Sequence, residues 1–202
     1  MTELRANRRN ASAIVALVAA AREGDEAAWN ELVDEFAGLV WAIARAHRLS
    51  AADAADVSQT TWLRLAEHLG RIREPERVGA WLAATARNEC LRLVRRSQRE
   101  LPLGDDVPEP VSLAAAPEGR LVRAERATAL WSAFAELSER CRLLLRVLMA
   151  DPPPSYEDVG AALEMPVGSI GPTRARCLES LRRLVVRGGI SAGTGDSLEV
   201  ET

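Results

Sequence analysis

The chain has 202 residues, 48% of them hydrophobic, with 26 basic and 29 acidic side chains and a formal charge of −3. That length holds one or two domains, and that apolar share excludes disorder throughout. All 26 basic residues are arginine, which excludes lysine-dependent chemistry such as phosphate-binding P-loops and Schiff bases.

In chain order, residues 1–12 read as a flexible basic arm. From Ala13 to Gln98 the apolar spacing is helical almost throughout. Ile14, Leu17, Val18 and Ala21 make one stripe. Asp25 is the expected N-cap of a long second helix, whose core face is Trp29, Leu32, Val33, Phe36, Leu39, Val40, Ile43 and Ala44. Ser50-Ala-Ala-Asp53 has the form of a capping box with a short acid, opening a third helix to about Leu69. Glu74-Pro75 breaks the pattern. A fourth helix follows with Val78, Trp81, Leu82, Thr85, Leu91 and Val94 as its apolar positions.

Residues 101–119 hold Pro102, Gly104, Pro108, Pro110, Pro117 and Gly119 with four acids and no base, the composition of a flexible linker. A second helical block begins near Leu121, with Val122, Leu130, Phe134 and Leu137 apolar and Leu143 to Met149 continuing. Asp151-Pro-Pro-Pro154 stops it. Two helices close the block, Tyr156–Leu163 and about Val167–Val186, joined by a Glu-Met-Pro turn. Residues 188–202 read as a disordered acidic tail. The expected fold class is all-α: a helical domain over 13–100 and a helix-turn-helix domain over 120–187, tethered by the linker.

Cys90, Cys141 and Cys177 are an odd, widely spaced set with no C-x-x-C, and His47 and His68 are the only histidines. Neither a disulfide framework nor a metal site is expected, and no cofactor. No apolar run approaches the ~18 residues of a membrane span, and the polar N-terminus lacks a signal-peptide core. The expected setting is the reducing cytoplasm, away from membranes. With no clustered carboxylates either, an enzyme is not expected.

Net charge hides an alternation. Residues 22–56 sum to −5, 71–99 to +5 and 120–187 to +3. Acidic and basic blocks in succession point to two kinds of partner.

Three segments carry recognition chemistry. On the third helix, Asp56, Gln59 and Leu63 fall on one face beside Asp53 and Trp62, an acidic, amide and aromatic set suited to docking a protein. On the fourth helix, Arg87, Asn88, Arg92, Arg95, Arg96 and Arg99 follow an apolar start, and Arg71, Arg73 and Arg77 decorate the loop before it. Phosphate contacts supply sequence-independent affinity, and an adjacent loop can hold an unstacked base. The third segment, Ser155 to Ile170, reads as a helix-turn-helix. Ser155 caps it, Val159, Ala162 and Leu163 face inward, and Gly160 and Ala161 are small enough for a close crossing. Ile170, Cys177, Leu181 and Leu184 form the second helix's core stripe. Its opposite face is expected to carry Ser169, Pro172, Thr173, Arg176 and Arg183, with Arg174 at the flank. Pro172 is tolerated near a helix start, where N–H groups lack intrahelical acceptors, so this helix should begin around Val167–Ser169. A recognition helix puts its first residues against base edges, and the planar arginine fork suits guanine or phosphate.

At these residues the chain resembles the extracytoplasmic-function group (group IV) of bacterial sigma-70 family sigma factors. Asp53-Ala-Ala-Asp-Val-Ser-Gln-Thr-Thr-Trp-Leu-Arg-Leu resembles region 2.2, Ala80 to Arg96 resembles regions 2.3 and 2.4, and Tyr156 to Leu184 resembles region 4.2 in a form close to an actinobacterial variant. The resemblance implies a subunit that binds core RNA polymerase and opens promoter DNA. Asp53, Asp56, Gln59, Trp62 and Leu63 would meet the β′ clamp helices. Arg71, Arg73, Arg77, Arg87, Asn88, Arg92, Arg95 and Arg96 would melt and read the −10 element. Ser155, Ser169, Pro172, Thr173, Arg174, Arg176 and Arg183 would read the −35 element, with the same domain touching the β flap. Members of this group are often held by anti-sigma factors, which makes one a partner to expect. Two departures stand out: Thr60 where the family commonly has an acid, and Gly171-Pro172 in place of a basic-polar pair.

Overall fold

The computed structural model describes residues 2–100 and 120–188, with side chains over 11–96 and 127–188. The expected linker, 101–119, and nearly all of the expected tail lie outside the described residues. Among the described residues there are eight α-helices: α1 Thr2–Arg22, α2 Glu26–Ala46, α3 Ala51–His68, α4 Val78–Glu100, α5 Arg120–Glu136, α6 Glu139–Leu148, α7 Tyr156–Leu163 and α8 Val167–Arg187. Short 3-10 turns at Leu69–Arg71 and Pro75–Arg77 lead from α3 into α4. No strand occurs among the described residues. The N-terminal arm expected over 1–12 is helical from Thr2, because α1 extends back through it.

Local chemistry sets the helix starts. The Asp25 carboxylate accepts from the Ala27 and Ala28 amides at 2.9 and 3.2 Å. Ser50 Oγ accepts from the Asp53 amide at 3.1 Å, and Ser138 caps α6 in the same way. Each such cap contributes about 1 kcal/mol. At Ser50 the reciprocal half of the expected box is absent. Ser50 Oγ instead donates to the Asp53 carboxylate at 2.7 Å. At Ser155 the box is complete, with Ser155 Oγ accepting from the Asp158 amide and Asp158 Oδ2 accepting from the Ser155 amide.

The predicted stripe of α2 becomes the centre of the first helical group. Leu32, Phe36, Leu39, Val40, Ile43 and Ala44 are buried, each large side chain contributing roughly 1.5–3 kcal/mol. On α4, Val78 and Leu82 are joined in the core by Ala83, Ala86 and Cys90. Burial pushes the Cys90 thiol up to about 12, so it stays protonated and unreactive. In the second group, Phe134, Leu137, Leu144, Leu145 and Val147 meet Val159, Ala162, Ile170 and Cys177. Leu130 and Met149, expected with the apolar theme, are exposed.

The α7–α8 turn depends on two backbone positions. Glu164 ends α7 in the left-handed region, at φ 50°. A Cβ on Gly160 would lie 2.9 Å from the Met165 carbonyl oxygen, so the small residue permits the tight return of the chain. Cys141 on α6 and Cys177 on α8 form a disulfide, with their Cα atoms 5.3 Å apart. This corrects the expectation of unpaired cysteines. The two are 36 residues apart, and only the folding of α7 between them brings them together.

The two groups pack directly on each other, α7 against α4 and α6 against α2, and share one apolar core. Arg146 on α6 lies over the Phe134 ring and donates to the Arg45 carbonyl of α2 at 2.7 Å.

Candidate functional site

The predicted recognition residues occupy three exposed faces. On α3, Asp56, Gln59 and Leu63 stand exposed on one side, Leu63 at 60%. Trp62 turns inward instead and meets Trp29 edge-on with ring centroids 6.4 Å apart. Asp53 is held by Ser50 at the helix start. The outward face is therefore a carboxylate, an amide and an apolar side chain in line along two turns. That is a combination suited to a partner helix rather than to chemistry.

On α4, Asn88, Arg92, Arg95 and Arg96 are exposed, and the spacing of Asn88, Arg92 and Arg95 sets them along one side. Arg92 pairs with Glu89 at 3.2 Å, and the same carboxylate binds Arg64 of α3 at 3.0 Å. Arg71 and Arg73 are exposed on the loop before α4, and Arg77 pairs with Glu74 at 2.9 Å. Arg87 stands apart from this set. It points to the second group and pairs with Glu164 at 2.8 Å. The cationic surface is thus a short stripe plus a loop.

Arg22 at the end of α1 fixes that loop, donating from Nε to the Leu69 carbonyl at 3.0 Å and from Nη2 to that of Ile72. The sequence reading missed this role. Two carbonyl acceptors nearly fifty residues away leave no pattern in a sequence; only a lone arginine at a helix end hints at it.

On α8, Pro172, Arg174, Arg176 and Arg183 are exposed and Ser169 is half-buried. Thr173 is corrected: it is buried between Ile170 and Cys177, one helical turn from each, and its Oγ1 accepts from Arg176 at 3.2 Å. Ser155 is spent on capping α7. The helix begins at Val167 as expected, but Pro172 is its sixth residue, beyond the first turn. Its missing N–H leaves the Gly168 carbonyl without a helical donor, on a part of the helix open to solvent.

Two half-buried titratable groups lie near the seam between the helical groups. Burial holds the His47 imidazole below its ordinary value, with Arg87 adding to the effect and Glu139 opposing it. Burial pushes the Asp158 carboxyl up, against the hydrogen bonds from Ser155 and with Glu157 and Glu35 adding to it. Asp158 lines a cavity of about 310 Å³ with Glu35, Phe36, Glu76, Arg77 and Pro154. Because its folded-state pKa is raised, the ionised form is a standing cost above that pKa. The cost disappears as pH falls through it toward 3.8, the ordinary value. Asp158→Asn keeps the cap and removes the charge. It should raise the thermal midpoint at pH 7 and flatten the rise in stability on mild acidification, both read by calorimetry across pH. An unchanged midpoint would show that the carboxylate is adequately solvated.

Among the described residues there is no group of three His, Cys, Asp or Glu side chains able to hold a metal ion, and no helix long and apolar enough to cross a membrane.

Residues 32–100 match the Sigma-70 region 2 family. This stretch contains α3, α4 and most of α2, so the α3 face and the α4 stripe both lie within the matched residues. The structure of CnrH in complex with the cytosolic domain of CnrY matches with a TM-score of 0.58 and 23% identity, over 87% of this chain and 98% of that one. The shared fold therefore extends over both helical groups. No curated protein matches the sequence.

Proposed function

We propose that the chain is a sigma factor of the extracytoplasmic-function type, which binds core RNA polymerase, recognises promoter −10 and −35 elements and promotes DNA melting for transcription initiation. The observation that carries this reading is the conjunction, on one region 2 domain, of an exposed Asp56–Gln59–Leu63 face and a separate Asn88–Arg92–Arg95–Arg96 stripe. The first supplies a protein contact and the second phosphate contacts. Arg71 and Arg73 stand on the loop where an unstacked base would be held. The exposed arginines of α8 serve the −35 duplex, and Ser155 and Thr173 support that helix pair from within. The chain needs no chemistry of its own. The polymerase is the catalyst, and the sigma factor chooses where it starts.

Unstacking costs a few kcal/mol per base step. Base capture and phosphate contacts on the non-template strand offset it. Linking two weak readers raises the effective concentration of each once the other is bound. An anti-sigma factor, if one pairs with this chain, would act by covering these faces.

Run-off transcription with purified core polymerase on a fragmented-genome template, followed by start-site mapping, tests the reading. Selective starts that need the chain are expected, and none appearing would overturn it. Asp56→Arg with Gln59→Ala should weaken core binding about 100-fold or more, because charge reversal at a docking face costs several kcal/mol. Undiminished co-purification with polymerase would remove that face from the contact.

A further inference from the structure

The turn between α3 and α4 is weakly closed by its own backbone. The Ile72 amide donates to the Leu69 carbonyl at 3.4 Å, long for such a bond, and Gly70 between them has the widest conformational freedom of any residue type. Leu69 is buried and Ile72 half-buried, while Arg71 and Arg73 stand exposed. The shape of the turn is supplied from α1. Arg22 Nε donates to the Leu69 carbonyl at 3.0 Å and Nη2 to the Ile72 carbonyl, so one planar fork bridges both ends of the turn, 47 and 50 residues along the chain. A cation in the last turn of a helix ordinarily serves that helix's own carbonyls; this one serves another segment's. Its helix is a firm base, because Ile14 and Val18 are buried where α1 packs on α2.

We propose that Arg22 is a positioning residue for strand opening: its guanidinium holds the Leu69–Ile72 turn in the shape that presents Arg71 and Arg73 to an unstacked base. The inference rests on the sigma-factor reading above. Taking a base out of the stack is costly, and a loop that must first order itself recovers less of that cost than one already in place. A turn held in the competent shape binds with its full intrinsic affinity. One that visits that shape a tenth of the time binds about tenfold more weakly. Arg22 acts on this fraction. Its Nε and Nη2 donors are turned to the two carbonyls, so it shapes the loop without itself meeting DNA.

Polymerase assembled with the full chain carrying Arg22→Ala or Arg22→Lys tests this, on a promoter found by the start-site mapping above. Alanine suits a helix and removes the fork, while lysine keeps the charge without the planar geometry. Permanganate footprinting should show opening about tenfold lower with Arg22→Ala, with Arg22→Lys in between, and core association unchanged. Two further readouts separate positioning from general stability and from phosphate contact. The first is anisotropy of a fluorescent non-template −10 oligonucleotide carrying an abasic nucleotide at each position in turn. With the unaltered chain the abasic substitution should weaken binding severalfold at the captured position, and Arg22→Ala should shrink that penalty toward none. The second is the salt slope of binding, which should stay the same, whereas a lost single-strand phosphate contact would lower it by ~0.7. An undiminished abasic penalty with Arg22→Ala, or a slope lowered by that amount, overturns the proposal and leaves the sigma-factor reading standing. So does a fall in core association that parallels the fall in opening, which would make Arg22 a residue of general stability. If the unaltered chain opens no promoter, or shows no abasic penalty at any position, the reading of this loop fails and the proposal with it.

Discussion

Reversing Arg92, Arg95 and Arg96 to glutamate should lower promoter opening about 100-fold at about 0.1 M salt, while association with core polymerase changes little. The magnitude follows from counterion release. Each single-strand phosphate neutralised adds ~0.7 to the salt slope, so three arginines account for a slope of ~2 and roughly two decades of affinity at that salt. Charge reversal adds repulsion to this loss. All three side chains are exposed, and Glu89, the half-buried partner of Arg92, keeps its second partner Arg64 at 3.0 Å when Arg92 is changed. The helix should therefore persist, as circular dichroism can verify. The proposed docking face on α3 is untouched. Permanganate footprinting reads the opened bases, and a core-binding assay reads the association. Opening at the original level would remove the α4 stripe from the melting surface. A loss of both together would place it in the polymerase contact instead.

The parts of the molecule that were legible in its sequence are those set by local rules. The α2 stripe, the Asp25 cap and the Ser155–Asp158 box all rest on residues within a turn or two of one another, and the structure has them where periodicity and capping chemistry put them. The exposed face of α3 and the outward arginines of α4 were legible for the same reason. Most of what escaped depends on distance along the chain; Thr173 is the local exception. Thr173 looked like a surface residue because a hydroxyl in an arginine-rich stretch reads as polar. In the fold it falls in line with Ile170 and Cys177 and has Arg176 as a partner. Arg87 looked like one more member of a cationic stripe, until packing gave it Glu164 from a residue far along the chain. Gly38 carried no signal at all inside a strongly periodic helix, since its reason is the backbone of Asp151. The tether composition suggested independent domains; the packing of α4 on α7 shows that a long connection does not prevent a shared core.

Reducing the Cys141–Cys177 bond should destabilise the second helical group by about 3–4 kcal/mol, the chain-entropy expectation for a closed loop of this length. The pair spans α7 entirely, so the bond ties the middle of α8 to the start of α6 and confines α7, the turn and the first half of α8 in the unfolded chain. The native group has few other covalent or ionic restraints on α8. Its exposed arginines find only short-range partners, Arg176 on Thr173 and Arg183 on Ser180, and Pro172 removes one helical hydrogen bond. The orientation of the arginine face therefore depends on Ile170, Cys177 and the half-buried Leu181 and Leu184 staying seated. Urea unfolding with and without a thiol reductant measures the difference, and mass spectrometry after alkylation counts thiols. Oxidised protein should take up one alkyl group on unfolding, at Cys90, and reduced protein three. The reduced chain should also bind −35 duplex more weakly, because α8 then spends more time unseated. Three alkyl groups on unreduced protein would show that the bond does not form. A midpoint unmoved by reduction would show that the apolar seating of α8 suffices without it.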